Sequence, residues 1–246
     1  MDNPQPDVRD RTRARPLPRP QRWTLDVAAS GEPRSWHDPA QRLVAVLREI
    51  SNAVRDGYGR PLTWRTPGDG PETWADIDLV RRAMERTAKL DSGARGLVHG
   101  HLAENDPAIV DLLWRAGSDG RVLDCTARFN PRGGARSLSR HDPEWLVALL
   151  GFTVDVVGGN AGRIVTSSWL KEDERRAGAV PFWLGEVTYV PGAVDPATLP
   201  ATLVAHPWPT SHGMGTVVAL VDLSATITAS GPAVDDMLAL RRYLPS

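Results

Sequence analysis

Spacing places the tightest constraint on this fold. Four strand-like runs crowd into the last third of the 246-residue chain: GRIVTSSWL from Gly162, FWLGEVTYVPG from Phe182, Ala201 to Ala205, and Gly215 to Val221. Parallel neighbours need a crossover of a dozen or more residues, usually a helix, whereas antiparallel neighbours need only a turn. The connections here are a charged turn (KEDERRAG), a Pro191-Gly192 stop and a Pro-rich stretch (HPWPTSHGMG). None is a crossover helix. The spacing therefore predicts an α+β fold with a mostly antiparallel sheet flanked by helices.

The rest of the chain supplies further strands and the helices. RWTLDVAA places Trp23, Leu25 and Val27 on one side at a period of two, the mark of a strand. RVLDCTARFN alternates Leu123, Cys125, Ala127 and Phe129 against Val122, Asp124, Thr126 and Arg128, which predicts a buried Cys125. ARGLVHGHLA reads as a strand, while DPAIVDLLWRAG is ambiguous. HDPAQRLVAVLREISNAVRDG is helical, with Leu43, Val46, Leu47, Ile50 and Val54 on one face, Asp38 as the expected N-cap and Gly57 as the stop. WADIDLVRRAMERTAKL follows with Ile77, Val80, Met84 and Ala88 inward, then DPEWLVALLGFTVDVVGG, apolar nearly all round and so expected to be central. The terminal AVDDMLALRRYL is an amphipathic helix with Val234, Leu238 and Leu244 inward.

Two units are expected. Residues 1–22 form a disordered tail rich in Pro and Arg, and residues 23–246 form a single α+β domain without an internal linker. The tail carries six Arg and three Asp, so the remaining 23 basic and 27 acidic residues leave the body at −4. A mildly acidic body gives no reason to expect nucleic-acid binding. One cysteine permits no internal disulfide and suits a reducing compartment. The first residues hold no apolar signal core, and no run approaches a membrane span, so a cytoplasmic, soluble protein is expected.

Catalytic signatures are missing from the sequence. There is no Walker A motif, GxSxG elbow, HExxH helix or CxxC pair. VVGGNAG follows a helix and precedes a strand, the reverse of a phosphate-binding loop, and reads as a helix stop. Cys125 lies on an apolar strand face, not in the electropositive setting of a nucleophile. Asp76/Asp78 and Asp235/Asp236 sit at helix starts, where carboxylates serve the helix. Histidines offer the one rival. His99 and His101 would share a strand face, and His206 and His212 fall in the Pro-rich connection, so a metal-dependent hydrolase built on these four is the alternative reading. Their spacing matches no common zinc signature, and neither metal nor cofactor is expected.

FWLGEVTYV raises a different question. Alternation puts Trp183, Gly185, Val187 and Tyr189 on one side and Phe182, Leu184, Glu186, Thr188 and Val190 on the other, and neither side is cleanly apolar. A buried, unpaired Glu186 would be costly. The strand is therefore expected near a binding surface formed by Trp183, Glu186, Tyr189, Trp208 and His212, with a bulge near Gly185 to bring them together. The competing expectation keeps Trp183 and Tyr189 in the core and Glu186 in water. Nine tryptophans are present, and more than half are expected in the core.

The C-terminal third also resembles the immunity protein 52 family of bacterial polymorphic toxin systems. The resemblance rests on Gly185, Thr188 and Tyr189 in one strand, Gly215 and Thr216 in the next, and the closing helix. Glu186 stands where an aromatic would follow the Gly. The resemblance implies an α+β, non-enzymatic protein that binds and neutralises a cognate toxin, typically a restriction-endonuclease-like nuclease. An acidic surface would then oppose the nuclease's basic groove.

Overall fold

A computed structural model describes residues 23–31, 33–67, 74–88, 93–103, 106–118, 120–129, 143–166, 169, 182–221 and 232–244. The expected tail, residues 1–22, lies outside them, as does the KEDERRAG turn. Among the described residues nine strands join one sheet in which every pairing is antiparallel. They are β1 (Trp23–Ser30), β2 (Thr63–Arg65), β3 (Ala94–His101), β4 (Val110–Ser118), β5 (Arg121–Phe129), β6 (Ala161–Thr166), β7 (Val187–Pro191), β8 (Leu203–Thr210) and β9 (Gly213–Leu220). Their order is β2-β3-β4-β5-β1-β6-β7-β9-β8, so the first strand sits at the centre. The ambiguous DPAIVDLLWRAG contains β4, its Val110, Leu112, Trp114 and Ala116 alternating inward.

Three helices, α1 (His37–Tyr58), α2 (Ile77–Ala88) and α3 (Pro143–Val157), cover one face of this sheet. Their apolar stripes meet Leu25, Val27, Leu112, Cys125, Ile164 and Val217 in a single core. Asp38 is not the cap of α1. Trp36 holds that position without a side-chain bond, and Asp38 lies in the first turn, paired with Arg42 at 2.7 Å. Asp76 does cap α2, its carboxylate accepting from the backbone N–H of Asp78 and Leu79. VVGGNAG is the expected stop: Gly158 ends α3 with a φ of 64°, a conformation that suits glycine. Arg42 donates to the carbonyl of Val157 at the same helix end.

The C-terminal helix begins as α4 (Pro232–Met237) and tightens into a 3-10 helix over Leu238–Tyr243. Tightening rotates its inward face. Val234, Met237 and Leu240 are buried, whereas Leu238 and Leu244, expected inward, pack only partly against the core. A further correction concerns β8. It runs through Pro207 and Pro209 to Thr210, so the Pro-rich connection is strand. Both prolines share one parity on an edge strand, where the N–H they lack would point away from β9.

The open half-face of the sheet

Strand register sorts the residues on the face opposite the helices. On β2 to β5 and β1 it places Arg65, Arg95, Leu97, His99, His101, Asp111, Leu113, Arg115, Asp124, Thr126, Arg128, Thr24 and Asp26. Ala28 and Val122 share this parity, and they and Asp26 are buried, whereas all the others are at least partly exposed. On β6, β7 and β9 the same face carries Val165, Thr188, Val190, Thr216, Val218 and Leu220, all buried. One side of the sheet is thus half covered and half open.

A buried ion pair marks the boundary. Arg163 on β6 donates to Asp26 on β1 at 2.9 Å, and Thr126 donates to the other Asp26 oxygen at 2.7 Å. Arg163 also donates to the carbonyl of Leu184. Phe182 lies over the Arg163 guanidinium at 4.1 Å and remains 56% exposed. Next to it, edge-on at 4.9 Å, is Trp183, whose ring faces the Arg121 guanidinium at 5.4 Å. Arg121 in turn donates to Asp124 at 2.6 Å. Burial pushes the Asp124 carboxyl above its ordinary range, and Arg121 opposes that shift. The result is an aromatic pair propped by two arginines along the rim of an arginine-bearing sheet.

The five residues expected to form one binding surface do not come together. Trp183 is on the open side. Glu186 is 3% exposed and its carboxylate accepts from the backbone N–H and hydroxyl of Thr166, at 2.6 and 3.1 Å. Burial raises its pKa to about 7, against the two Thr166 bonds. Tyr189 is buried on the helix side, where its phenol lies against Gly215. Trp208 packs on the same side, flat enough on α3 that a Cβ at Gly151 would meet its ring at 2.2 Å, with Phe152 edge-on at 5.1 Å. His212, in the β8–β9 turn, is exposed near Gly158, and Ser211 beside it binds Asp155 through N–H and hydroxyl. Trp208 and Ser211 thus fasten the β8–β9 hairpin to α3, with His212 exposed beside them, while Trp183 occupies the opposite face. No bulge at Gly185 joins them. The strand starts only at Val187, and residues 182–186 are a turn and an extended approach.

The residues behind the family resemblance are structural. Thr188 both accepts from the N–H of Gly185 and donates to its carbonyl. A side chain at Gly185 would meet the Ile164 carbonyl at 2.6 Å. Thr216 donates to Gly192 and accepts from Val194.

Of the nine tryptophans, eight belong to the core or pack against it, and Trp183 is the one that does not. That contrast is what sequence alone could not supply, because all nine have the same intrinsic preference for burial. The four histidines separate into two pairs. β3 and β8 are seven strand steps apart, about 34 Å at the usual ~4.8 Å spacing, so the four-histidine site cannot assemble. Cys125 is buried as expected, and burial raises its thiol pKa well above the ordinary value, which removes the nucleophile reading. Among the described residues no helix is long and apolar enough to cross a membrane. A cleft of about 380 Å³ between α1 and β2 is lined by Leu47, Arg48, Ser51, Leu62, Trp64 and Trp74.

No family model matches the chain, and no curated protein matches it in sequence. Among solved structures, the Pseudomonas aeruginosa T6SS protein PA0821 is similar over 91% of this chain and 76% of its own length, at 13% identity and a TM-score of 0.46, a likeness that carries no functional argument.

Proposed function

We propose that this chain is an immunity protein that binds and neutralises a cognate toxin, of the restriction-endonuclease-like nuclease class that the resemblance in its C-terminal third implies. The observation that carries the reading is Trp183. It is the one tryptophan outside the core, it is partly exposed, and it stands beside exposed Phe182 on two arginines. Binding hot spots are enriched in Trp and Arg, and rigid aromatics lose little entropy on docking.

Charge refines the partner. The open half-face carries Arg65, Arg95, Arg115 and Arg128 on β2 to β5, against Asp111 and Asp124. The acidity of the body is therefore not concentrated there, and an acidic partner surface suits it better than the basic groove anticipated from net charge. Metal-dependent nucleases hold their ions with carboxylates, an acidic patch of this kind. A partner docked on the face would leave both edges untouched. β2 is three residues long and β8 is blocked by two prolines, so strand addition is disfavoured.

The test is protection of bacteria that express the toxin encoded beside this gene. A Trp183→Ala/Arg128→Glu variant with unchanged circular dichroism should lose protection, with at least a ~100-fold weaker toxin affinity, as expected for a hot-spot tryptophan plus a charge reversal. Full protection by the folded variant would move the interface off this face.

A further inference from the structure

We propose that His99 and His101 form a two-imidazole site for a borderline divalent transition metal, Cu²⁺, Ni²⁺ or Zn²⁺, with Nε2 of each ring as the donor. The two residues are two apart on β3, so both rings project from one face of the sheet. Their centroids are 6.3 Å apart. A metal ~2.1 Å from each Nε2 sets two ring centres about 5.3 Å apart at a tetrahedral angle and about 6.5 Å apart at 180°, so the observed spacing suits a wide angle at the metal or a small inward turn of the rings on binding.

The outer partners make the case specific. His99 Nδ1 lies 2.6 Å from the Asp111 carboxylate, and His101 Nδ1 lies 2.8 Å from the Asp106 backbone carbonyl. Neither acceptor brings a proton, so each Nδ1 must be the donor. In the neutral ring that choice leaves the lone pair on Nε2. A histidine that gives its other N–H to a carboxylate or a carbonyl is the arrangement that orients metal-bound imidazoles and raises their basicity. Here it occurs twice on one strand. Both rings stay partly exposed, on the open half-face and away from the helices. Among the described residues no group of three or more His, Cys, Asp or Glu surrounds a common point, so the remaining coordination positions belong to water or to a donor from outside the chain. The inference does not depend on the immunity reading, because it concerns the free protein.

The experiment titrates the chelator-stripped full chain with Cu²⁺, the tightest-binding ion of the series. Electron paramagnetic resonance should show one tightly held equivalent with two imidazole nitrogens. His99→Gln and His101→Gln should each weaken it, and Asp111→Asn should weaken it about 10- to 100-fold while leaving the fold intact. His206→Gln/His212→Gln should change nothing. Because His99–Asp111 also ties β3 to β4, the wild-type chain provides a substitution-free check. Zn²⁺ should protect both His99 and His101, and not His206, from diethylpyrocarbonate, as read by mass spectrometry. Either of two results overturns the proposal: binding no tighter than ~0.1 mM, which is about 5–6 kcal/mol, or unchanged modification of the pair with Zn²⁺ present.

Discussion

The two halves of the sheet follow different rules although the same backbone ladder runs through both. β3, β4 and β5 are buried on the helix side and open on the other, and their sequences alternate: Val98 beside His99, Leu112 beside Asp111, Cys125 beside Asp124. β6, β7 and β9 are buried on both sides, and every residue from Ala161 to Thr166, from Val187 to Val190 and from Gly215 to Leu220 is inside. A strand enclosed on both faces has no reason to alternate. The difference teaches where function can sit. The enclosed half is committed to stability, and only the open half can change its surface without changing the core.

Substitutions can break that contrast. The largest effect is expected from putting a charge into the enclosed half. Val218→Asp, at a fully buried position, should prevent folding or cost more than about 4 kcal/mol, whereas Leu113→Asp on the open half should lie within about 0.5 kcal/mol of wild type. Urea denaturation of both variants measures it, and similar losses would mean that the open face is covered. Next is the boundary. Arg163→Ala leaves the Asp26 carboxylate buried with one partner, Thr126, and should cost about 3–5 kcal/mol, seen as a fall in the denaturation midpoint.

A smaller effect sharpens the comparison through pH. Glu186 has a folded pKa of about 7 against an ordinary value near 4.5. Between those values the folded chain holds a proton that the unfolded chain has released. Its contribution to stability is therefore full below about pH 4.5 and lost progressively up to about pH 7, with no further loss above that. The total is on the order of 3 kcal/mol. Glu186→Gln keeps an acceptor for Thr166 and cannot ionise. The difference in stability between variant and wild type should accordingly change between pH 4.5 and 7 and be constant from 7.5 to 9. A pH-independent difference would mean that Glu186 meets water.

The same contrast explains what could be read from sequence. Cys125 was legible because β5 alternates, and its place in the core follows from parity alone. The α+β class and the antiparallel pairing were legible from the short connections. FWLGEVTYV was not legible, because period-two reasoning assumes one wet face. Here Glu186 satisfies itself on Thr166, twenty residues away, and Tyr189 lies over Gly215 of a neighbouring strand. Both partners are long-range, and neither leaves a local mark. Grouping Trp183 with Trp208 and His212 requires knowing on which face each strand turns its rings, and period two does not tell that across separate strands. Proline misled at β8. Read as a breaker, it marked a loop, while an edge strand accepts it wherever the missing N–H faces out.

The central position of β1 has a consequence for how the protein is made. Translation delivers Trp23–Ser30 first, yet Asp26 must wait 100 residues for Thr126 and 137 for Arg163. At ~5–20 residues per second the ribosome needs about 7–27 s to supply that last partner. For about the first 5–20 s, until β5 is made, a strand bearing Trp23, Leu25 and Val27 has neither of its neighbours, and it lacks the second until β6 follows, so the sheet cannot close around its own middle before then. Folding of the two halves is consequently tied to one late event, the arrival of β6, and the nascent chain is a natural client for chaperones until it happens.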